Sequence, residues 1–124
     1  MIVGNGVDCI AISRIEKAMA RERFISRNFT EKEQAYFAIK GFAPETVAAH
    51  FAAKEAFAKA LGTGIRGFSL CQVEVLHDEL GKPYFSLHGE AREKAEACGI
   101  HKLHVSLTHT EALALAFVVA EGAE

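Results

Sequence analysis

Met1–Ile12 opens the chain as a short apolar run of β-forming residues, interrupted by Gly4 and Gly6 and carrying a single charge, Asp8. Glycine inside a strand marks a bulge or a close approach of another backbone. The period then changes. Ile12, Ile15 and Met19 fall on one side of a helix over Ser13–Ala20, with Ser13 as N-cap and Glu16 completing a capping box. Thr30 and Glu33 repeat that box ahead of a helix through Tyr36, Phe37 and Ile39 that stops at Gly41. Pro44 suits the first turn of the next helix, about Glu45–Leu61, which ends at Gly62. On it Val47, Phe51, Lys54, Ala58 and Leu61 share one broad side, and Phe57 packs elsewhere. Seven alanines between Ala48 and Ala60 let this helix pack closely on several sides.

The second half is mostly β. Val73–Leu76 and Lys82–Leu87 flank a turn signal at Asp78–Gly81 and read as a hairpin. Gly89–Cys98 is a short helix stopped by Gly99. His101–Thr108 is a strand with Val105 and Leu107 inward, which turns His104, Ser106 and Thr108 outward. After a turn at His109–Glu111, Ala112–Ala120 returns as an apolar, central strand, followed by a polar tail that frays. The expected fold is α+β: one domain over residues 1–124, an antiparallel sheet with helices packed on one side.

Half of the 124 residues are apolar and about a quarter charged, the balance of a folded soluble protein. The net charge of −2 is uninformative, but its distribution is not. Arg14–Lys32 holds six basic and three acidic residues, leaving −5 on the rest of the chain. A basic face on a mildly acidic protein suits an acidic protein partner better than nucleic acid. Cys9, Cys71 and Cys98 form neither an even set nor a C-x-x-C pair, which argues against disulfides or a zinc cluster and fits a reducing cytoplasm. Cys9 and Cys71 sit in apolar runs and are expected to be buried. No apolar run reaches the ~20 residues of a membrane span, and no export signal is present at the N-terminus.

Glu55 and Lys59 lie one helical turn apart. On spacing alone they are an ordinary surface ion pair; beside the glycine-rich break that follows, they could also hold a divalent metal and a phosphate. Asp8 is costly among Val7, Cys9 and Ile10 unless something pairs with it, so it is a turn or capping aspartate or a metal ligand. Gly62–Gly67 spells G-x-G-x-x-G, but it follows a helix rather than a strand and is no dinucleotide fingerprint. Its backbone amides could still approach a phosphate. Strand alternation sends His101 and His104 to opposite faces, against a shared metal with His109, and His77 and His88 read as surface or strand-end residues.

Three stretches together resemble holo-(acyl-carrier-protein) synthase, the short, single-domain type of 4′-phosphopantetheinyl transferase. They are Gly6-Val7-Asp8, His50-Phe51-Ala52-Ala53-Lys54-Glu55-Ala56 running into Gly62-Thr63-Gly64, and His104-Val105-Ser106-Leu107-Thr108-His109-Thr110. Arg14-Ile15-Glu16, Phe29-Thr30-x-x-Glu33 and Gly81-Lys82-Pro83 extend the likeness over the whole chain in order. The resemblance implies transfer of phosphopantetheine from coenzyme A to a serine of apo-acyl carrier protein, in support of fatty acid biosynthesis. It implies Mg²⁺ held by Asp8 and Glu55, and Lys59 on the phosphate charge that develops. Glu55, or a metal-bound water it orients, would remove the serine proton. Gly62, Thr63 and Gly64 would lie along the phosphates, with His109 at the coenzyme A phosphate region. Arg14, Arg21 and Arg27 would meet the acidic helix of the carrier, and a homotrimer with active sites at subunit boundaries is implied.

Two positions depart from the family pattern. His50 stands where an arginine is common and would grip a coenzyme A phosphate only weakly above its ordinary pKa of ~6.5. Ser106-Leu107-Thr108-His109 replaces Ser-x-Ser-His and keeps the hydroxyl. A non-catalytic binding module would leave Asp8, Glu55 and Lys59 together unexplained. A Mg²⁺-dependent hydrolase acting on a small substrate would need no basic docking face.

Overall fold

The computed structural model describes residues 1–123. Strand β1 (Ile2–Ala11) runs without a loop into α1 (Ile12–Met19), followed by α2 (Phe24–Asn28), α3 (Glu31–Ile39) and α4 (Pro44–Ala60). A single 3₁₀ turn at Leu70–Gln72 leads into the hairpin β2 (Val73–His77) and β3 (Pro83–Leu87). Then come α5 (Gly89–Ala97), β4 (Ile100–His109) and β5 (Leu113–Gly122). The expected α+β architecture holds, with its β residues in two sheets: an antiparallel β1–β5–β4 sheet with β5 central, and the β2–β3 hairpin. The hairpin packs beside β4 without joining its ladder. β5 runs past Ala120 to Gly122, whose amide bonds to the Met1 carbonyl at 2.8 Å, so the start of the tail is pinned rather than frayed.

Local signals and tertiary contacts set the helix ends differently. Thr30 and Glu33 form the expected capping box of α3, and Pro44 is in the first turn of α4. Ser13 is not a cap. α1 begins one residue earlier, with Ala11 at the N-cap and no side-chain bond there, because the Ile12 amide is taken by the Ala112 carbonyl at 2.9 Å. The basic residues between Arg14 and Lys32 do not share one helix: α1 ends at Met19, and Arg23 adopts φ 72° before the short α2.

Helix α4 lies directly on the sheet. Ala48, Ala52, Ala53 and Ala56 are fully buried, as befits a helix apolar on nearly every side. The close approach expected of the β1 glycines is real. A Cβ on Gly6 would stand 2.1 Å from the Ala56 carbonyl oxygen, and one on Gly4 2.3 Å from that of Ala60. At Gly4 and Gly6 no side chain separates β1 from α4. Ile10, Ala114, Ala116, Val118 and Val105 face α4 in the main core, while Phe57 centres a second cluster with Leu61, Val73, Ala91 and Ala95. The opposite sheet face is open to solvent, with Val7 49 % and Phe117 44 % exposed. Cys9, expected to be buried, is exposed on that same face because Gly6, Asp8 and Ile10 take the inward positions; Cys71 is half-buried.

Candidate active site

Asp8 is the one ionisable residue on the inward row of β1, two residues beyond Gly6. Glu55 precedes Ala56, whose carbonyl rests on Gly6. The backbone contact therefore carries both carboxylates to one place. They line a recess of about 180 Å³ together with Arg14 and Phe51. Burial pushes the Glu55 carboxyl above the usual range, and the Asp8 charge pushes it further; Lys59 and Arg14 act in the opposite sense.

Lys59 does not pair with Glu55. Its ammonium lies 3.1 Å from Asp8 Oδ1 and 3.0 Å from the Val7 carbonyl oxygen, bridging α4 to β1. The i, i+4 ion pair suggested by spacing is thus replaced by a contact between elements, because the strand offers Lys59 both a carboxylate and a carbonyl. The remaining set is two hard carboxylates in one recess with a displaceable cation beside them. That donor set fits Mg²⁺, which takes one or two carboxylates and completes its shell with phosphate and water oxygens.

The other expected site residues are dispersed. Gly62, Thr63 and Gly64 form the exposed loop leaving α4, with φ 81° at Gly62 and 69° at Gly64. His109 ends β4 in line with Ala114 and Ile10, two strand spacings, roughly 10 Å, from β1. It is exposed and borders a different recess with Glu45, Thr110 and Glu111. Within one chain His109 does not meet the Asp8–Glu55 recess. Arg21 and Arg27 join Arg23 and Phe24 around a small surface hollow at the α1–α2 corner. Among the described residues none of Arg14, Arg21, Arg23 and Arg27 forms an ion pair.

His50 has to be removed from the phosphate-binding residues. It is 3 % exposed, with Nδ1 2.7 Å from the Thr46 carbonyl oxygen and Nε2 2.7 Å from His77 Nε2. Burial pushes its pKa down to about 4. Both ring nitrogens are engaged inside the protein, and the ring is uncharged near neutral pH. His77, expected at the surface or at a strand end, is the last residue of β2; it is half-buried and stacks on Tyr36 at 4.1 Å.

One arrangement was missed from sequence. Lys54 is completely buried, and its ammonium donates to Glu33 Oε1, the Leu70 carbonyl and the Val73 carbonyl, each at 2.8 Å. Glu33 also accepts from the Thr30 and Val75 amides at 3.0 Å each. The capping glutamate of α3 is therefore a hub joining α3, α4 and β2, and its α4 partner Lys54 is one residue before Glu55. The available signal was Lys54 itself, a charge on the broad apolar side of its helix.

The sequence matches the family model described as the 4′-phosphopantetheinyl transferase superfamily over residues 4–118. It is 48 % identical over 122 residues to a holo-(acyl-carrier-protein) synthase of Clostridium beijerinckii, covering 98 % of both chains. The fold superposes on the crystal structure of the Neisseria meningitidis holo-(acyl-carrier-protein) synthase with a TM-score of 0.88 at 40 % identity, covering 98 % of this chain and 99 % of that one. It also superposes on the Helicobacter pylori synthase in complex with coenzyme A, with a TM-score of 0.83 at 30 % identity and coverage of 94 % and 99 %. With matches of this extent in both sequence and fold, the chain belongs to the 4′-phosphopantetheinyl transferase superfamily, within its holo-(acyl-carrier-protein) synthases.

Proposed function

We propose that this chain, as a single domain, transfers the 4′-phosphopantetheine group of coenzyme A to a serine hydroxyl of apo-acyl carrier protein, releasing adenosine 3′,5′-bisphosphate. The observation that carries the reading is the meeting of Asp8, Glu55, Arg14 and the Lys59 bridge around one recess, on a chain whose relatives are holo-(acyl-carrier-protein) synthases. Asp8 and Glu55 are the residues that would hold Mg²⁺. When bound, the ion neutralises pyrophosphate charge and relieves the repulsion between the two carboxylates.

The protein groups divide the remaining work. Glu55 accepts the serine proton. The serine oxygen then forms a bond to the β-phosphorus while the bond to the bridging oxygen breaks, leaving the electron pair on the bisphosphate. Lys59, released from Asp8, faces that leaving charge. The Gly62–Gly64 loop lies along the phosphates. Arg14, Arg21 and Arg27, free of ion pairs among the described residues, receive the acidic carrier helix.

His109 serves a neighbouring subunit in a homotrimer. Support comes from its separation from Asp8 within one chain and from the open apolar sheet face around Val7 and Phe117. Three free thiols suit action in the cytoplasm, where the product serves fatty acid biosynthesis. Among the described residues no helix is long and apolar enough to cross a membrane.

The test is incubation with apo-acyl carrier protein, coenzyme A and Mg²⁺, followed by intact-mass measurement of the carrier. A phosphopantetheine mass addition is expected. No addition despite coenzyme A binding would leave a binding module, and bisphosphate release without carrier would make the chain a hydrolase.

A further inference from the structure

His50 and His77 meet where α3, α4 and the β2–β3 hairpin converge. Their nitrogens form a continuous chain: Thr46 carbonyl to His50 Nδ1 at 2.7 Å, His50 Nε2 to His77 Nε2 at 2.7 Å, and His77 Nδ1 to the Gly81 carbonyl at 3.2 Å. A carbonyl oxygen only accepts, so each Nδ1 must carry a proton. Two bare lone pairs do not face each other at 2.7 Å, so the Nε2···Nε2 contact needs a proton as well. Three ring protons are required where two neutral imidazoles supply two.

We propose that His50 and His77 together hold one proton more than two neutral imidazoles, and that this proton fastens the β2–β3 turn at Gly81 to α4 and releases it when lost. The charge belongs on His77. His50 is shut away among Tyr36, Phe37 and His77, where burial favours its neutral form. His77 is half-buried and lies flat on the Tyr36 ring, at an interplanar angle of 7°, a face that attracts a cation.

The surrounding charges leave this assignment intact. On α3, Lys40 stands 5.7 Å from the Tyr36 ring centre, and Glu33 is spent on Lys54. On α4, Lys54 disfavours a proton on His50, reinforcing its neutral state. In the turn, Asp78 Oδ1 accepts from the Leu80 and Lys82 amides at 2.9 Å each. Among the described residues no carboxylate bonds to either ring.

When the proton leaves, His77 keeps Nε2–H towards His50 and presents a bare Nδ1 to the Gly81 oxygen. Attraction becomes repulsion. The turn then loses the anchor behind its internal bonds, Gly81 amide to Asp78 carbonyl at 3.0 Å and Lys82 amide to Asp78 Oδ1 at 2.9 Å, and those bonds open more often. That turn carries the Gly81-Lys82-Pro83 stretch.

Ring-nitrogen NMR shifts and amide exchange of the intact protein, recorded from about pH 5 to about pH 9, test the proposal. At the acid end His77 should be protonated on both nitrogens and His50 on Nδ1 alone. As pH rises, His77 should lose its Nδ1 proton. Exchange of the Gly81 and Lys82 amides, corrected for intrinsic rate, should then rise roughly threefold to tenfold with the same midpoint, the factor one hydrogen bond is worth. His77→Phe keeps the stack on Tyr36 and should show fast corrected exchange at every pH. The proposal is overturned if His77 stays protonated on Nδ1 after it becomes neutral. It is equally overturned if wild type and His77→Phe share one exchange profile.

Discussion

Replacing Gly6 by alanine adds one methyl group at the contact that aligns the two carboxylates. That Cβ would lie 2.1 Å from the Ala56 carbonyl oxygen, 2.8 Å from the Ala60 nitrogen and 3.1 Å from the Ala56 carbonyl carbon. All three are backbone atoms of one helix, so no rotamer change relieves the clash. An ordinary carbon–oxygen contact of about 3.2 Å requires strand and helix to separate by about 1 Å. α4 cannot yield freely, because Ala48, Ala52 and Ala53 are already in full contact and a gap of that size forfeits up to half of their dispersion energy. Overpacking at such a site costs about 3 kcal/mol, and alanine's smaller loss of chain entropy returns about 0.7 kcal/mol. The net loss of about 2 kcal/mol lowers Tm by about 8 °C for a chain of this length. Because Gly6 lies two residues from Asp8 and Ala56 adjoins Glu55, the same separation pulls the carboxylates apart, and a 1 Å misplacement costs about 100-fold in rate. Calorimetry and a carrier-mass transfer assay measure the two effects. Gly4→Ala, which meets Ala60 at the far side from Asp8, should match the loss of stability with a smaller loss of rate. A Gly6→Ala protein within about 2 °C and threefold of wild type would refute the reasoning.

Lys54→Ala should cost about 3–5 kcal/mol in urea unfolding, since it strands the buried Glu33 charge and two carbonyls; Lys54→Met with Glu33→Gln should recover part of the loss. Glu55→Gln should abolish transfer without destabilising the fold. The Glu55 pKa is raised, so the folded state binds that proton more tightly, and stability falls as pH rises from about 4.5 through the raised value. The glutamine variant should lack that slope in urea midpoints measured against pH. His50 acts in the opposite sense: with a folded pKa of about 4, it takes up its proton mainly in the unfolded chain as pH drops from 6.5 towards 4. Up to about 3 kcal/mol of stability should disappear over that window and be retained in His50→Leu. Arg14→Ala should raise carrier KM several-fold with coenzyme A KM unchanged; an unaltered carrier KM would remove Arg14 from the docking surface.

What could be read from sequence was local. Thr30 and Glu33, Pro44, Gly99 and the Asp78–Gly81 turn each act within a few residues, and each stands where its chemistry placed it. Gly4 and Gly6 announced a close approach but not the helix that makes it. Ser13 lost its capping role to Ala112, and Lys59 left Glu55 for Asp8, because distant parts of the chain supplied the partners. α2 went unseen because five residues show no period and its start rests on the left-handed Arg23. The exposure of Cys9, by contrast, followed from strand alternation once Asp8 and Ile10 were placed inward. The convergence of Asp8 and Glu55 was legible only through family resemblance, since neither element encodes the other's position.

On the proposed reading, the Lys59–Asp8 bridge couples metal and pyrophosphate binding thermodynamically. In the free chain one ammonium already neutralises the carboxylate that a metal ion would use, at 3.1 Å. In the proposed site, a cation taking Asp8 Oδ1 displaces Lys59, and an arriving pyrophosphate draws Lys59 away. Whichever ligand comes first meets the cost of breaking the bridge, and the second finds it broken. On the same reading, metal and coenzyme A would each strengthen the other's binding by the same factor, as linkage demands. Lys59 is 55 % exposed in that bridge, so the coupling would be worth about 1 kcal/mol at most.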